Sequence, residues 1–419
     1  MNTISHKNQN LFSRVAVIVG VLVVAILIYF LFFLYARVSV EVEPKNAVVT
    51  LDNAPITNSD GKVSARAKLG KHTIKVEADD YIGFKEEITL SRGKNYSKKI
   101  TLAKAPEPTE IAGSAENAAI AGNEIFYQDA GDKLIYKALV EFSTAEIKVK
   151  SKQAITAKPI DTKQIIWSPT KELLLLKRGA SVNLFDFKKY DFIHQAEVLF
   201  GNNIGDIAWA PDNSRIAYYY APPTGERSLI FSDKTNQTIY RAANLAEMKI
   251  ENPYLAFSPD SAWLAVIPRN QNYAENKIYL MNIYTKELKA VNDASNQKEA
   301  IFSADSKKII YSTYSTDPNN PAHRDLSVIN LDGSDNKSLN IAARATDLRY
   351  WNDPAKIFLL RSGNGGKLNL VDLASGGITD FYFKGQAQAN ISDIQPTDDK
   401  TGAIFISDGK LYYLKLASN

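Results

Sequence analysis

The pattern of hydrophobic and polar residues divides the chain into an apolar N-terminal run and a long region of short alternating runs. From Val15 to Ala36 there are 22 consecutive uncharged residues, most of them Val, Ile, Leu or Phe. As a helix, this run would extend about 33 Å, enough to cross the hydrocarbon core of a bilayer. The remainder shows the period-two spacing of β-strands and no helical period. We therefore predict one transmembrane helix followed by an all-β protein.

The charges that flank the apolar run predict the orientation of this helix. Residues 1–14 carry Lys7 and Arg14 and no carboxylate, whereas Arg37 is the nearest basic residue on the other side. Because positively charged flanks stay in the cytoplasm, we expect residues 1–14 to be cytoplasmic and everything after the helix at 15–36 to be extracytoplasmic. A cleaved signal peptide is the alternative, but its apolar region would be shorter and would end in a small–x–small site.

The spacing in residues 37–104 predicts a small antiparallel β domain. Apolar residues alternate with polar ones in short runs that are separated by turn-forming residues. These runs are Val38–Val42, Ala47–Leu51, His72–Val76, Ile88–Leu90 and Ile100–Leu102.

Turn motifs in this β domain resemble those of the PEGA domain, whose pattern is a Pro-x-Gly-Ala turn, an Asp-Gly turn and a later Gly-Tyr pair. The corresponding residues here are Pro44-Lys45-Asn46-Ala47, Asp52-Asn53 and Asp80-Tyr81. Asn46, Asn53 and Asp80 thus replace family glycines, and Asn and Asp tolerate a positive φ better than other side chains. The resemblance implies a surface-associated accessory module rather than a catalyst, in which we expect His72 to be structural.

A repeated unit fills residues 119–419. An aromatic or apolar residue followed by a polar turn recurs at intervals of 42–49 residues, and each copy precedes an apolar strand. Four short strands in each such interval are typical of a β-propeller blade. The copies begin at Trp167, Trp209, Phe257, Phe302, Trp351 and Ile394. With a degenerate copy at 119–151 they predict a seven-bladed β-propeller, and six blades are the alternative.

The repeat motif resembles that of TolB-type propellers, in which an aromatic-Ser-Pro-Asp-Gly stretch joins the first and second strands. Asn213, Ser261 and Ser306 stand at the position of the family glycine. The aspartates before them, such as Asp212 and Asp260, are expected to cap their own turns rather than to bind a metal or to catalyse.

The segment before the repeats, residues 105–118, is poor in large apolar side chains and begins with a Pro-Glu-Pro motif. Such a composition favours an extended linker. The last repeat is one strand short, and an open ring would leave sheet edges unpaired. We therefore expect a segment near Thr109–Ser114 to supply the missing outer strand and close the ring.

Three consecutive repeats have long connections between their second and third strands, at residues 220–228, 268–276 and 312–325. Equivalent loops of successive blades emerge on the same face, and aromatic residues and Arg are typical interface anchors. The predicted binding residues in these loops are Tyr220, Arg227, Arg269, Tyr273, Tyr314, His323 and Arg324.

The composition narrows the classes of function. The 419 residues include no Cys and four His, and 50 basic residues against 46 acidic ones give a net charge of +4. The lack of Cys removes disulfides, thiol nucleophiles and Cys-based metal sites, and the basic excess is too small to indicate a nucleic-acid partner. Gly-x-Ser-x-Gly, His-Glu-x-x-His and Walker motifs are absent from the sequence. We therefore predict no catalytic residues, no metal and no cofactor, and a protein that is not an enzyme.

These features predict a single-pass membrane protein that displays a PEGA-like module and a TolB-like propeller outside the cell membrane. Its expected role is binding or scaffolding, with a protein or a cell-envelope glycan as the ligand of the propeller loops. A propeller-based, glycan-active enzyme and a TolB-like accessory of envelope transport are the alternatives.

Overall fold

The computed structural model divides into two compact units, one that runs to Ala105 and one that begins at Pro106. It describes residues 16–24, 29, 35–142, 147–162, 164–181, 184–269, 276–292, 297–313, 325–343, 348–350, 356–361, 367–374, 377–381, 383–384, 391–397 and 402–415. Residues 16–24 are helical, and nearly all other regular structure in these ranges is β-strand. Within them, no helix has the length and apolar character that crossing a membrane requires.

The first unit consists of two four-stranded sheets. Its strands are β1 (Tyr35–Glu43), β2 (Val48–Leu51), β3 (Ala54–Ile56), β4 (Asn58–Ser59), β5 (Lys62–Lys68), β6 (Gly70–Glu77), β7 (Phe84–Leu90) and β8 (Tyr96–Thr101). One sheet has the order β4-β5-β1-β8 and the other the order β3-β2-β6-β7. All pairs are antiparallel except β1 with β8, which are parallel.

The alternation of side chains along β1 explains where this unit starts. Val38, Val40 and Val42 are buried in its core, and the residues between them are more exposed. The same alternation extends back to Ala36, which is buried and pairs with Ala67 of β5. Tyr35 and Ala36, which were expected to end the transmembrane helix, therefore belong to β1.

The turns of the first unit agree in part with the expected glycine-like positions. Asn53 and Asp80 have φ values of 67° and 64°, as expected for residues that replace glycines. The third position differs, because Asn46 lies outside the left-handed region.

The second unit consists of antiparallel sheets. Its strands are β9 (Thr109–Ala112), β10 (Glu116–Ala121), β11 (Glu124–Gln128), β12 (Ile135–Phe142), β13 (Ile147–Ala154), β14 (Gln164–Trp167), β15 (Leu174–Ser181), β16 (Leu184–Asp191), β17 (Ala196–Trp209), β18 (Ile216–Tyr220), β19 (Ser228–Ser232), β20 (Thr238–Asn244), β21 (Tyr254–Phe257), β22 (Trp263–Ile267), β23 (Tyr279–Asn282), β24 (Leu288–Ala290), β25 (Gln297–Phe302), β26 (Lys308–Thr313), β27 (Asp325–Asn330), β28 (Lys337–Ala342), β29 (Leu348–Tyr350), β30 (Lys356–Arg361), β31 (Lys367–Asp372), β32 (Ile378–Phe381), β33 (Ile391–Pro396), β34 (Gly402–Ser407) and β35 (Lys410–Lys415).

These strands follow one another in four-stranded sheets, with one exception. The sheets are β10–β13, β21–β24, β25–β28, β29–β32 and β33-β34-β35-β9, whereas β14–β20 form a single seven-stranded sheet. The exception arises because the 14-residue strand β17 pairs with β16 through its first half and with β18 through its second half. One strand thus serves as the last strand of one repeat and the first strand of the next.

The last sheet is completed by β9, which pairs antiparallel with β35, with Thr109 opposite Tyr413 and Ala112 opposite Leu411. Ile111 and Ala112 are buried in a core that also contains residues of the first and last sheets of this unit. Gln395 of β33 donates a hydrogen bond of 2.7 Å to the carbonyl oxygen of Ala118 on β10. The segment expected to be mostly a linker therefore contributes β9 and the start of β10.

Two of the repeat turns are held by their own Ser and Asp side chains. Ser258 Oγ donates to Asp260 Oδ1 at 2.6 Å and accepts the N–H of Trp263 at 2.9 Å. Asp260 Oδ1 also accepts the N–H of Ala262 at 3.0 Å. The same arrangement recurs around Ser303 and Asp305. The expectation that these aspartates cap their own turns is therefore confirmed by the hydrogen bonds.

Candidate functional site

The strands that begin successive repeats are β10, β14, the second half of β17, β21, β25, β29 and β33, and we call them the inner strands. Several lie directly against one another, including β17 against β21 and β29 against β33. Their N-terminal ends pair with the C-terminal ends of the following strands, as Ile204 does with Tyr220 and Tyr254 with Ile267. The predicted binding loops start at those C-terminal ends, so they share a face with the N-terminal ends of the inner strands.

Charged and aromatic side chains meet at this face. Four successive inner strands each contribute one residue, namely Asp206 on β17, Tyr254 on β21, Glu299 on β25 and Arg349 on β29. Asp206 interacts electrostatically with Arg269 and Lys177. Tyr254 interacts electrostatically with Asp206, Arg269, Glu299 and Arg349. We call the following six residues the charged cluster: Lys177, Asp206, Tyr254, Arg269, Glu299 and Arg349.

Asp206 has the least favourable environment for a charge. The residue as a whole is half-buried, and the surrounding protein desolvates its carboxyl group and raises the pKa of that group to about 6. The N–H of Leu255, which donates to Asp206 Oδ2 at 2.8 Å, and the positive charges of Arg269 and Lys177 oppose this rise. A carboxyl group that titrates near neutral pH and can be reached by solvent is a common feature of functional sites.

Arg269 is positioned by backbone and aromatic contacts. Its N–H donates to the carbonyl oxygen of Glu251 at 3.1 Å, and its guanidinium carbon lies 5.1 Å from the centre of the Tyr254 ring. The residue itself is exposed. The side chain of Asn276 donates to the carbonyl oxygen of Pro268 at 3.1 Å and so links the two described ends of this connection. Burial raises the pKa of the Tyr254 hydroxyl, so this ring stays neutral beneath the guanidinium.

The remaining charges of the cluster have partners that fix their positions. Glu299 Oε2 accepts a hydrogen bond of 3.3 Å from Ser312 Oγ. Arg349 Nη1 donates to the carbonyl oxygen of Leu348 at 2.9 Å, and Lys177 Nζ lies 3.9 Å from the centre of the Phe185 ring. The cluster is therefore an arranged set of three cations, two carboxyl groups and one aromatic ring.

The predicted binding residues have four different outcomes. Arg269 lies in the charged cluster, whereas Tyr220 ends β18 and packs partly buried against an apolar core. Arg227 is exposed and pairs with Glu251, with 3.4 Å between Nη1 and Oε1. Because the backbone carbonyl of Glu251 also accepts the N–H of Arg269, residues 227 and 269 belong to adjoining loops. The other four predicted residues, Tyr273, Tyr314, His323 and Arg324, lie outside the described residues.

Four inner-strand residues of the charged cluster were not among those predicted from the sequence, namely Asp206, Tyr254, Glu299 and Arg349. Loop length directed attention to the connections, whereas these residues lie within or at the start of strands. A usable signal was present, because three of the four inner strands β17, β21, β25 and β29 contain a charged residue, namely Asp206, Glu299 and Arg349. Buried or half-buried charges in such strands are costly and need a reason.

Neither unit shows a group of three or more His, Asp or Glu side chains placed to hold a metal ion, as far as the described residues extend. The acidic residues of the charged cluster lie among cations instead. This arrangement suits the binding of an anionic group better than the binding of a metal.

Comparison with known proteins identifies the first unit and the fold of the second. The PEGA domain family model matches residues 35–106. An oligogalacturonate lyase in complex with manganese has a TM-score of 0.50 at 13% identity, over 75% of this chain and 98% of that chain. The tricorn protease has a TM-score of 0.47 at 12% identity, over 86% and 40% of the two chains. TolB from Acinetobacter baumannii has a TM-score of 0.41 at 11% identity, over 75% and 77%. No curated protein matches the sequence.

The similarity to a lyase overturns the expectation that the protein is not an enzyme. A chain of similar fold is an enzyme, so the small number of His and the lack of Cys do not exclude catalysis here. At 13% identity the likeness shows the fold alone, and neither a substrate nor a reaction is transferred. Residues 35–106 therefore match the PEGA domain, and the second unit has a fold similar to that of β-propeller proteins.

Proposed function

We propose that this protein is an envelope-associated binding scaffold that captures a partner protein at the face that carries the charged cluster. The observation that carries the proposal is the convergence of Asp206, Tyr254, Glu299 and Arg349 from four successive strands, with exposed Arg269 above them. Costly half-buried charges at a solvent-reachable face are typical of recognition sites. The PEGA domain supports a role as a surface-associated module.

We infer further that the second unit is a ring of seven blades. The four-stranded sheets supply five blades, and the seven-stranded sheet supplies two because β17 serves both of them. Pairing of β9 with β35 and the contact between Gln395 and Ala118 support closure of the ring between the first and last blades. Such closure removes unpaired sheet edges.

Membrane anchoring through residues 15–34, with the two units outside the cell membrane, is part of the same proposal. Residues 16–24 are apolar on every side and exposed, with Val17 at 66% and Leu22 at 55% of full exposure. A helix that is apolar all round is stable in water only when something covers it, and a bilayer is such a cover. The uncharged run in the sequence has the required length.

Labelling of single cysteines in intact cells tests this topology, since the natural chain has none. We expect an impermeant maleimide to label Thr224→Cys, in an exposed loop of the second unit, and to spare Asn8→Cys until the cells are permeabilised. Labelling of Asn8→Cys alone would indicate the reverse orientation. Equal labelling of both variants in the soluble fraction would refute the anchor.

Photo-crosslinking in intact cells tests the capture of a partner. A photoreactive residue at Thr224 lies on the same face as the charged cluster, and one at Ser214 lies in an exposed turn at the opposite ends of the strands. We expect a discrete crosslinked protein from position 224 and none from position 214. Equal or absent crosslinking at both positions would refute the proposed face.

A second candidate function is an enzyme that acts on an envelope glycan at the same cluster. It is favoured by Asp206, because a carboxyl group with a pKa of about 6 can donate or accept a proton near neutral pH. Incubation with wall polysaccharides would show turnover that Asp206→Asn abolishes, whereas a protein scaffold would show none.

A further inference from the structure

The charged cluster contains more positive than negative groups. Lys177, Arg269 and Arg349 carry three positive charges, against at most two negative charges on Asp206 and Glu299. The excess lies where protein desolvates the carboxyl group of Asp206, and electrostatic attraction is stronger in such surroundings than in water. The cluster therefore favours an anion over a cation or a neutral ligand.

The geometry of Arg269 indicates the shape of that anion. Its guanidinium lies over the Tyr254 ring, and its backbone is fixed by the carbonyl oxygen of Glu251. A stacked guanidinium presents its N–H groups along the edge of its plane, and this fork matches the two oxygens of a carboxylate. Because Arg269 is exposed while Asp206 is half-buried, a ligand would meet Arg269 first.

We propose that the charged cluster binds a carboxylate group that the partner protein presents on an acidic segment, with Arg269 as its main contact. This inference rests on the proposed capture of a partner protein and names the chemistry of the segment that is recognised. Lys177 and Arg349 supply the surrounding positive field, and Tyr254 holds the guanidinium in place.

Asp206 gives the site a dependence on pH. Above a pH of about 6 its carboxylate repels an incoming carboxylate, and below that pH its neutral carboxyl group can donate a hydrogen bond to the ligand instead. Lys177 and Arg269 act on it from neighbouring elements and partly offset its charge. Binding of a carboxylate should therefore tighten as the pH falls from 7.5 to 5.5.

Fluorescence anisotropy with the full chain in detergent tests this inference. The probe is a labelled octamer of Glu, compared with the matching octamer of Gln and with an oligomer of glucuronic acid. We expect Arg269→Gln to weaken binding of the Glu octamer about tenfold or more, and the control Arg215→Gln, which removes the same charge at the opposite ends of the strands, to change it less than about twofold. Asp206→Asn should bind more tightly at pH 7.5 and should lose the pH dependence.

Four results would overturn the inference. Equal losses in Arg269→Gln and Arg215→Gln would indicate a general charge effect, and weaker binding by Asp206→Asn at pH 7.5 would refute the repulsion. Binding of the glucuronic acid oligomer without binding of the Glu octamer would assign the carboxylate to a glycan. Circular dichroism of each variant verifies folding. A partner crosslinked at position 224 despite failed octamer binding would refute this inference alone and leave the proposed function standing.

Discussion

Ser261 Oγ accepts the backbone N–H of Asp212 at 3.0 Å, and so joins the turn of one repeat to the turn of the preceding one. The next pair repeats the contact, because Ser306 Oγ accepts the N–H of Asp260 at 3.0 Å. Ser261 and Ser306 stand where related repeats have glycine, with φ values of 61° and 59°. A left-handed serine costs about 1 kcal/mol, and the hydrogen bond between repeats offsets that cost.

Substitutions at Ser261 separate these two contributions. Ser261→Ala keeps the strained backbone and loses the hydrogen bond, so the free energy of unfolding should fall by about 1 kcal/mol. Ser261→Gly loses the bond but relieves the backbone, and should be close to neutral. Urea unfolding measures both. Asn213→Gly is the control, and it should not destabilise, since Asn213 has φ 61° and its buried Oδ1 has no hydrogen-bond partner among the residues that the structure describes. Greater destabilisation by Gly than by Ala at 261 would contradict this account.

The raised pKa of Asp206 predicts how stability depends on pH. The folded value is about 6 and the ordinary value is 3.8, so between these limits the folded state binds the proton more tightly than the unfolded state. The free energy of unfolding should therefore fall as the pH rises from about 4 to about 6, by on the order of 2 kcal/mol for this group. Asp206→Asn removes this contribution. Its melting temperature, measured from pH 4 to pH 7, should rise relative to that of the wild type as the pH rises. A constant difference between the two melting temperatures would show that the carboxyl group of Asp206 titrates normally.

The pair of His72 and Asp52 predicts how the stability of the first unit depends on pH. Its Nδ1 lies 2.6 Å from Asp52 Oδ2 and its Nε2 lies 2.7 Å from the carbonyl oxygen of Lys68. Both partners accept hydrogen bonds, so both ring nitrogens must donate, and the imidazolium form is favoured. The hydrogen bond with Asp52 is the main cause that raises the pKa of His72, and the N–H of Thr73 is the main cause that lowers the pKa of Asp52.

The stability that His72 contributes is lost at high pH, whereas the stability that Asp52 contributes is lost at low pH. Stability from His72 is complete below its ordinary pKa of 6.5 and is lost as the pH rises through its folded value. Stability from Asp52 is present above 3.8 and is lost as the pH falls through its lowered value. NMR titration should show a pKa of His72 above its ordinary value of 6.5, and Asp52→Asn should lower it. An unchanged His72 pKa in that variant would refute the pairing.

Pairing of β9 with β35 predicts that residues that precede the first repeat control the stability of the second unit. Ile111 is buried in the core shared by the first and last sheets. Ile111→Ala should lower the free energy of unfolding by about 2–4 kcal/mol, since it leaves a cavity at the closing sheet. Glu110→Gln removes only an exposed ion pair with Lys410 and should have little effect. Similar unfolding midpoints for the two variants would show that β9 does not hold the ring.

The sequence by itself determined those features that depend on neighbours in the chain. Alternation of apolar residues predicted the strands, the recurrence of aromatic-led turns predicted the repeats, and the PEGA motifs predicted the first unit. Turn capping by Asp260 was also predictable, because the atoms involved lie within a few residues. Backbone preferences and hydrogen bonds within a turn depend only on residues that are close together in the sequence, so a local sequence pattern is enough to predict them.

Only the tertiary structure decided the charged cluster and the true extents of the strands. Asp206, Tyr254, Glu299 and Arg349 are about 45–50 residues apart in the sequence, and they meet because neighbouring inner strands lie side by side. Their shared field, and the desolvation that raises the pKa of Asp206, come from atoms on several sheets at once. No local sequence pattern predicts this electrostatic field or this desolvation, because burial and long-range charge interactions are properties of the packed chain.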